Sequence, residues 1–142
     1  MTKHLSPSLE DYLEAAYTLS LRDGAARTSE ISRLLKVSKP SVNSGVKALS
    51  ALGLLSQERY GSIRLSTAGL KAGAEIAGRH GTLKDFFIAV LAMPPAQAER
   101  DACKAEHALS PEALRRLGAL AVHLKARPAA LKAARAAAGG KA

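Results

Sequence analysis

The sequence predicts a mainly α-helical protein: an N-terminal winged helix-turn-helix with a two-stranded wing, followed by a second helical domain. Three observations carry that prediction. Three segments before Gly53 place apolar residues at three- and four-residue spacing, as amphipathic helices do. Two short β-patterned runs then flank Tyr60-Gly61. Beyond Thr67 the pattern is helical again, punctuated by Pro94-Pro95, Ser110-Pro111 and Pro128.

In order along the chain, Pro7 and Ser8 open a helix carrying Leu9, Leu13, Ala16 and Tyr17 on one stripe, with Glu10 and Asp11 in its first turn, and Asp23-Gly24 ends it. Thr28 is expected to cap a short second helix with Ile31, Leu34 and Leu35 inward. After the tight connection Lys36-Val37-Ser38, Ser38 caps a third helix that buries Val42, Val46 and Leu49 and stops at Gly53. Leu54 to Arg59 and Ser62 to Ser66 form the wing, where Ile63 and Leu65 alternate with Arg64. A long helix from Thr67 is expected to reach about Met93, where Pro94-Pro95 breaks it. Further helices are expected over about Ala96 to Leu109 and from Ser110-Pro111-Glu112 to about Lys125. The organisation expected is a winged-helix domain over 1–70, a helical domain over 71–127, and a basic, alanine-rich tail over 128–142 whose order or disorder the sequence leaves open. No internal repeat is visible.

The chain has 142 residues, with 21 Lys and Arg against 12 Asp and Glu, a formal charge of +9. Such an excess suits a polyanion, either nucleic acid or an acidic membrane surface. Hydrophobic residues make up 47% of the chain but are interrupted throughout by charges, so no run approaches the roughly 20 apolar residues of a membrane span. A soluble protein without membrane association is expected. The start of the chain reaches Pro7 without an apolar core, which does not match a secretory signal and points to the cytoplasm. A single cysteine, Cys103, forbids an intramolecular disulfide and leaves a thiol that is core filler, nucleophile or metal ligand.

In a helix-turn-helix the first turn of the second helix enters the major groove. Ser38, Lys39, Pro40, Ser41, Asn43 and Ser44 occupy that turn and the next, and Thr28 begins the helix before it. Asn pairs well with adenine, Ser is permissive, and Pro makes only apolar contact, so these residues do not specify an operator sequence. Arg27, Lys47, Arg59 and Arg64 surround the helix and suit phosphate contacts. Taken singly, each of these side chains is also an ordinary solvated surface residue; it is the order of helices and hairpin that points to double-stranded DNA.

Cys103, Glu106 and His107 stand at i, i+3 and i+4, one face of a helix, and form a plausible half-site for a metal. Asp11 and Glu14 are three apart on the first helix, and His80 lies midway along the long one. Each has a plainer role open to it: Cys103 as core filler, Glu106 and His107 as a surface pair, Asp11 as compensation of the helix dipole, His80 as a surface side chain.

The segments Ser8-Leu9-Glu10-Asp11-Tyr12-Leu13-Glu14, Ser38-Lys39-Pro40-Ser41-Val42, His80, and Ala102-Cys103-Lys104-Ala105-Glu106-His107-Ala108-Leu109-Ser110 occur in that order. With them the chain resembles the diphtheria toxin repressor family of iron- and manganese-dependent regulators, over about Pro7 to Leu124. The resemblance implies that Asp11, Glu14, His80, Cys103, Glu106 and His107 are the main metal ligands, that the helix from Ser38 is the recognition helix, and that the second domain dimerises. It implies the short architecture of the manganese branch, without an SH3-like domain. Asp11 and Glu14 match that branch, whereas Cys103 stands where it often has glutamate and the iron branch has cysteine. An ancillary site of the iron branch pairs the His80 position with a glutamate one turn later and a histidine before the cysteine; here Lys84 and Glu99 stand there, and that site is not expected.

Carboxylates suit Mn(II), a thiolate favours Fe(II), Co(II) or Zn(II), and Mn(II) binds most weakly of the series. The expectation is therefore a repressor sensing Mn(II) or Fe(II), with Zn(II) or Co(II) binding in vitro, whose metal bridges the two domains of a homodimer on a palindromic DNA operator. Phe86, Phe87, Val90 and Leu91 are candidates for the dimer seam, with intrachain core as their other role. The rival is a metal-independent winged-helix regulator sensing an organic ligand or partner protein. An enzyme with Cys103 as nucleophile and His107 as base is disfavoured, because one helical turn aligns the two poorly and no oxyanion motif is evident.

Overall fold

The computed structural model describes residues 5–58 and 61–139 and divides into two compact units, 1–77 and 78–142, with the division inside a helix.

Unit 1 opens with α1 (Pro7–Asp23), whose N-cap is Ser6: its Oγ accepts from Leu9 N–H at 3.3 Å, and Pro7 fills the first helical position, where no donor is needed. Gly24 ends α1 at φ 84°, a left-handed conformation that favours glycine. β1 (Ala26–Arg27), α2 (Thr28–Leu35), α3 (Lys39–Ala51), β2 (Leu55–Gln57), β3 (Ser62–Leu65) and the start of α4 (Thr67–Ala89) follow. The three strands form an antiparallel sheet ordered β1-β3-β2, with Ala26 opposite Ile63 and Leu55 opposite Leu65.

The core is apolar throughout: Leu13, Ala16 and Leu19 of α1 meet Ile31 of α2, Val42, Val46 and Leu49 of α3, Leu55 and Ile63 of the sheet, and Ala72 and Ile76 of α4. Gly45 is what lets α3 come so close to α1, since a β-carbon there would run into the Tyr12 ring.

Three expectations are corrected in this unit, the first being that Leu34, expected inward with Ile31 and Leu35, is 53% exposed and only Ile31 of α2 is fully buried. Thr28 is not the cap of α2; Arg27 holds that position without a side-chain cap bond, because pairing with Ser62 in the sheet fixes it in the extended conformation a cap requires. The wing strands are shorter than expected, and the end of the first expected strand, Arg59, lies with Tyr60 outside the described residues.

Unit 2 contains the rest of α4, then α5 (Pro95–Ala105), α6 (Pro111–Lys125) and α7 (Pro128–Ala137). Ser110 caps α6, its Oγ accepting from Ala113 N–H at 3.1 Å. Two small clusters replace a single core. Leu83, Ala102 and Leu114 form one; Phe86, Val90 and Ala121 form the other, with Leu124, Leu131 and Ala134 against it.

α4 stops at Ala89, short of Met93, because Ala92 turns left-handed (φ 56°) and Met93 N–H reaches back to Phe87 C=O at 3.0 Å, the bond that closes a helix C-terminus. Arg135 of α7 donates to Ala89 C=O at 3.0 Å and satisfies another carbonyl of that end. α5 ends at Ala105 rather than near Leu109, as Ala108 and Leu109 N–H both converge on Ala105 C=O and tighten the last turn. The tail whose order the sequence leaves open forms α7 through Ala137: alanine is the strongest helix former, Pro128 starts the helix, and Leu131 and Ala134 give it an apolar anchor. Phe86 and Val90, expected at a dimer seam, are buried within the chain against α6 and α7; Phe87 and Leu91 are half-buried.

Candidate functional site

In unit 1 the polar residues of the helix-turn-helix lie on one exposed surface. Ser38 caps α3, its Oγ accepting from Ser41 N–H at 3.3 Å and lying 2.8 Å from Ser41 Oγ. Ser44 Oγ donates to Pro40 C=O at 3.1 Å. Lys39, Pro40, Ser41, Asn43, Ser44 and Lys47 are all exposed, while Val42, Gly45 and Val46 between them face the core. The periodicity of α3 thus separates a buried face from a polar one.

Thr28 Oγ1 donates to Asn43 Oδ1 and receives Gln57 Nε2–H, each at 3.5 Å, linking α2, α3 and the wing. Gln57 was not singled out from the sequence; its signal is its place two residues after the buried Leu55, on the outer stretch of β2. Arg27 is exposed, and Arg64 is exposed but ion-paired to Glu58 at 2.8 Å across the wing, so a phosphate contact by Arg64 would compete with that carboxylate. Arg59 lies outside the described residues.

In unit 2, α4 and α5 deliver a second constellation. Glu106, the C-cap of α5, is 0% exposed, the one charged side chain so buried among the described residues. Burying a carboxylate is costly unless cationic or hydrogen-bonding partners surround it. His80 Nδ1 of α4 lies 3.2 Å from Glu106 Oε2, and His107 Nε2 lies 3.4 Å from Glu106 Oε1. One ligand atom each of His80, Cys103 and Glu106 fall within 4.8 Å of one another.

The other ring nitrogen, His80 Nε2, meets Glu99 Oε1 at 2.9 Å, and Glu99 Oε2 meets Lys84 Nζ at 2.8 Å. The Lys84 ammonium, and then His80, hold the Glu99 carboxyl below the usual carboxylate range. The positions that lack the ancillary-site residues are therefore occupied by an ion pair.

The donor chemistry fits a divalent transition metal. Imidazole, carboxylate and thiolate are all ligands for such ions, and donor atoms around an ion with bonds of about 2.0–2.3 Å lie roughly 3–4 Å apart, within a small side-chain adjustment of the arrangement here. Asp11 and Glu14 lie three apart on α1 of unit 1, both half-buried.

An exposed polar recognition-helix surface on a winged helix, in a chain whose second unit groups a buried carboxylate, a half-buried imidazole and the exposed Cys103 thiol, defines a class: a DNA-binding regulator with a metal-binding domain. Comparison with known proteins agrees. Residues 4–63 match the family described as iron dependent repressor, N-terminal DNA binding domain, and residues 66–133 match iron dependent repressor, metal binding and dimerisation domain. An uncharacterised HTH-type transcriptional regulator of Methanocaldococcus jannaschii is 36% identical over 114 residues, 80% of this chain and 91% of the relative. The HTH-type transcriptional regulator MntR of Shouchella clausii is 36% identical over 115 residues, 81% of this chain and 80% of the relative.

The chain belongs to the iron-dependent repressor family of metal-dependent transcriptional regulators, which are not enzymes. Among solved structures, the manganese regulator SloR aligns with TM-score 0.71 at 26% identity, and T. acidophilum IdeR with TM-score 0.70 at 25% identity. The chain covers 54% and 53% of those two chains, about half their length. Among the described residues no helix is long and apolar enough to cross a membrane.

Proposed function

We propose that this chain is a cytoplasmic, homodimeric repressor that binds a palindromic operator when loaded with Mn(II) or Fe(II). The buried Glu106 carboxylate, set between two histidine nitrogens with a thiol in reach, carries this reading. A group so placed has little use in a core and clear use as a ligand. His80, Cys103, Glu106 and His107 supply donors from unit 2, and Asp11 and Glu14 supply them from α1. Metal binding by these donors would then select the DNA-competent dimer, in which two recognition helices are correctly spaced.

The first half of α3, from Ser38 to Ser44, enters the major groove, with Arg27, Lys47, Arg59 and Arg64 on phosphates. Phe87 and Leu91, which the chain's own core leaves half-buried, contribute to the dimer seam. The relatives support manganese or iron: SloR is a manganese regulator, and the family is described as iron dependent. The related repressor ScaR has been solved with Zn2+ bound, consistent with softer ions entering such sites.

The test is operator binding by fluorescence anisotropy across anaerobic Mn(II), Fe(II) and Zn(II) buffers, with His107→Ala beside the unsubstituted chain. His107→Ala is expected to abolish the metal response and leave the weak, salt-sensitive basal affinity. Linkage further requires operator to tighten metal binding by the factor by which metal tightens operator binding, a coupling of about 1–3 kcal/mol. An undiminished metal response in His107→Ala would remove the site assignment.

A further inference from the structure

We propose that Glu99 and Lys84 are positioning residues for the metal centre, fixing His80 as the tautomer that offers Nδ1 as its ligand atom. This rests on His80 being a ligand, as proposed above. All the groups involved belong to unit 2. Lys84 Nζ lies 2.8 Å from Glu99 Oε2, and Glu99 Oε1 lies 2.9 Å from His80 Nε2. Across the same ring, His80 Nδ1 faces Glu106 Oε2 at 3.2 Å.

An ionised carboxylate accepts hydrogen bonds and donates none. Glu99 therefore requires the proton on Nε2, so the nitrogen left for a metal is Nδ1, which faces the Glu106 carboxylate, a second acceptor, and a metal held between the two takes the place of a proton there. The opposite tautomer would set two lone pairs face to face at Glu99 and place an N–H where a ligand is needed. An outer carboxylate on a ligating histidine both fixes the ring and raises its basicity.

Lys84 has a separate part. The Glu99 side chain is 50% exposed, and an unrestrained glutamate of that kind loses rotamer freedom when ordered. Lys84 follows His80 by four residues on α4, so the two lie on one face and grip the two oxygens of one carboxylate. The ammonium balances the outer carboxylate, leaving the charge at the centre to the inner donors.

The test uses the full chain, 15N-labelled and loaded with Zn(II) as a diamagnetic probe, with two-bond 1H–15N correlation of the histidine rings. The unsubstituted chain is expected to show His80 metallated at Nδ1 and protonated at Nε2. Glu99→Gln, whose side-chain carbonyl still accepts, keeps that pattern. Glu99→Ala loses it and binds Zn(II) about 10- to 100-fold more weakly in competition with a chromophoric chelator. Lys84→Gln weakens binding by a smaller factor in the same assay. Metallation of His80 at Nε2, or an unchanged His80 pattern in Glu99→Ala, overturns the proposal while the ligand assignment stands. A His80 ring indifferent to Zn(II) overturns the ligand assignment and this proposal with it.

Discussion

Units 1 and 2 invert each other's use of polarity. Unit 1 buries an unbroken set of apolar side chains and keeps its candidate DNA-contacting residues, Ser38 to Ser41, Asn43, Ser44 and Lys47, in solvent. Unit 2 buries Glu106 beside His80 and His107 and divides its apolar residues into two small clusters. Nor does charge follow the division expected of a DNA-binding protein. Residues 1–77 carry 10 Lys and Arg against 7 Asp and Glu, while residues 78–142 carry 11 against 5.

Several of the cations of unit 2 are engaged within the unit. Arg115 and Arg116 both pair with Glu112, Lys125 pairs with Asp85, Lys84 holds Glu99, and Arg135 closes the end of α4. Net charge thus signals a polyanionic partner without locating it; the location comes from which cations stay exposed beside α3. The family's DNA-binding match to residues 4–63, the less basic half, makes the same point.

The comparison breaks most sharply at two fully buried side chains. Leu13 and Glu106 are each 0% exposed. Leu13→Ala removes apolar contacts from the middle of unit 1 and is expected to cost about 2–5 kcal/mol in chemical denaturation. Glu106→Leu replaces a buried carboxylate with an apolar side chain of similar size. It is expected to leave metal-free stability unchanged or raised, and to remove stoichiometric metal binding in equilibrium dialysis. Destabilisation by Glu106→Leu comparable to that of Leu13→Ala would make Glu106 a structural group.

A smaller effect separates the exposed cations. Lys39→Ala and Lys47→Ala are each expected to weaken operator binding across sequences and to reduce the slope of log K against log salt by about one. Lys132→Ala on α7 should leave that slope where it was. A slope lowered equally by all three would place the DNA contact on general charge rather than on the surface of α3.

Legibility from sequence follows the same division. The caps Ser38 and Ser110, the apolar stripes of α1 to α3 and the wing were legible because short-range rules govern them. β1 was not, since two residues have no period and Ala26–Arg27 become a strand only by pairing with β3. α7 was missed because its anchor, Leu131 and Ala134 against Phe86 and Val90, is a tertiary contact; the same contact turns Phe86 and Val90 from an expected seam into core. The spacing of Cys103, Glu106 and His107 was visible, but the approach of His80 to Glu106 depends on how α4 packs on α5, and only family resemblance joined them beforehand. The Glu99–Lys84 clamp has no local signature at all.

The finest test uses a device both units share. Ser38 and Ser110 cap α3 and α6 with the same bond, from Ser41 N–H at 3.3 Å and Ala113 N–H at 3.1 Å. Replacing either by alanine is expected to cost about 1 kcal/mol, so stability alone does not distinguish them. Aspartate does. It caps as well as serine, and its charge favours a helix N-terminus, so Ser38→Asp and Ser110→Asp should both retain stability in thermal melts. At position 38, however, the new carboxylate would stand on the surface proposed to meet DNA phosphates, and like-charge repulsion should weaken operator binding several-fold at low salt and less at high salt. At position 110 it should leave operator binding unchanged. Equal operator affinity in the two aspartate variants would move the DNA contact away from the start of α3, because a charge added at a groove-facing cap has no route by which to stay silent.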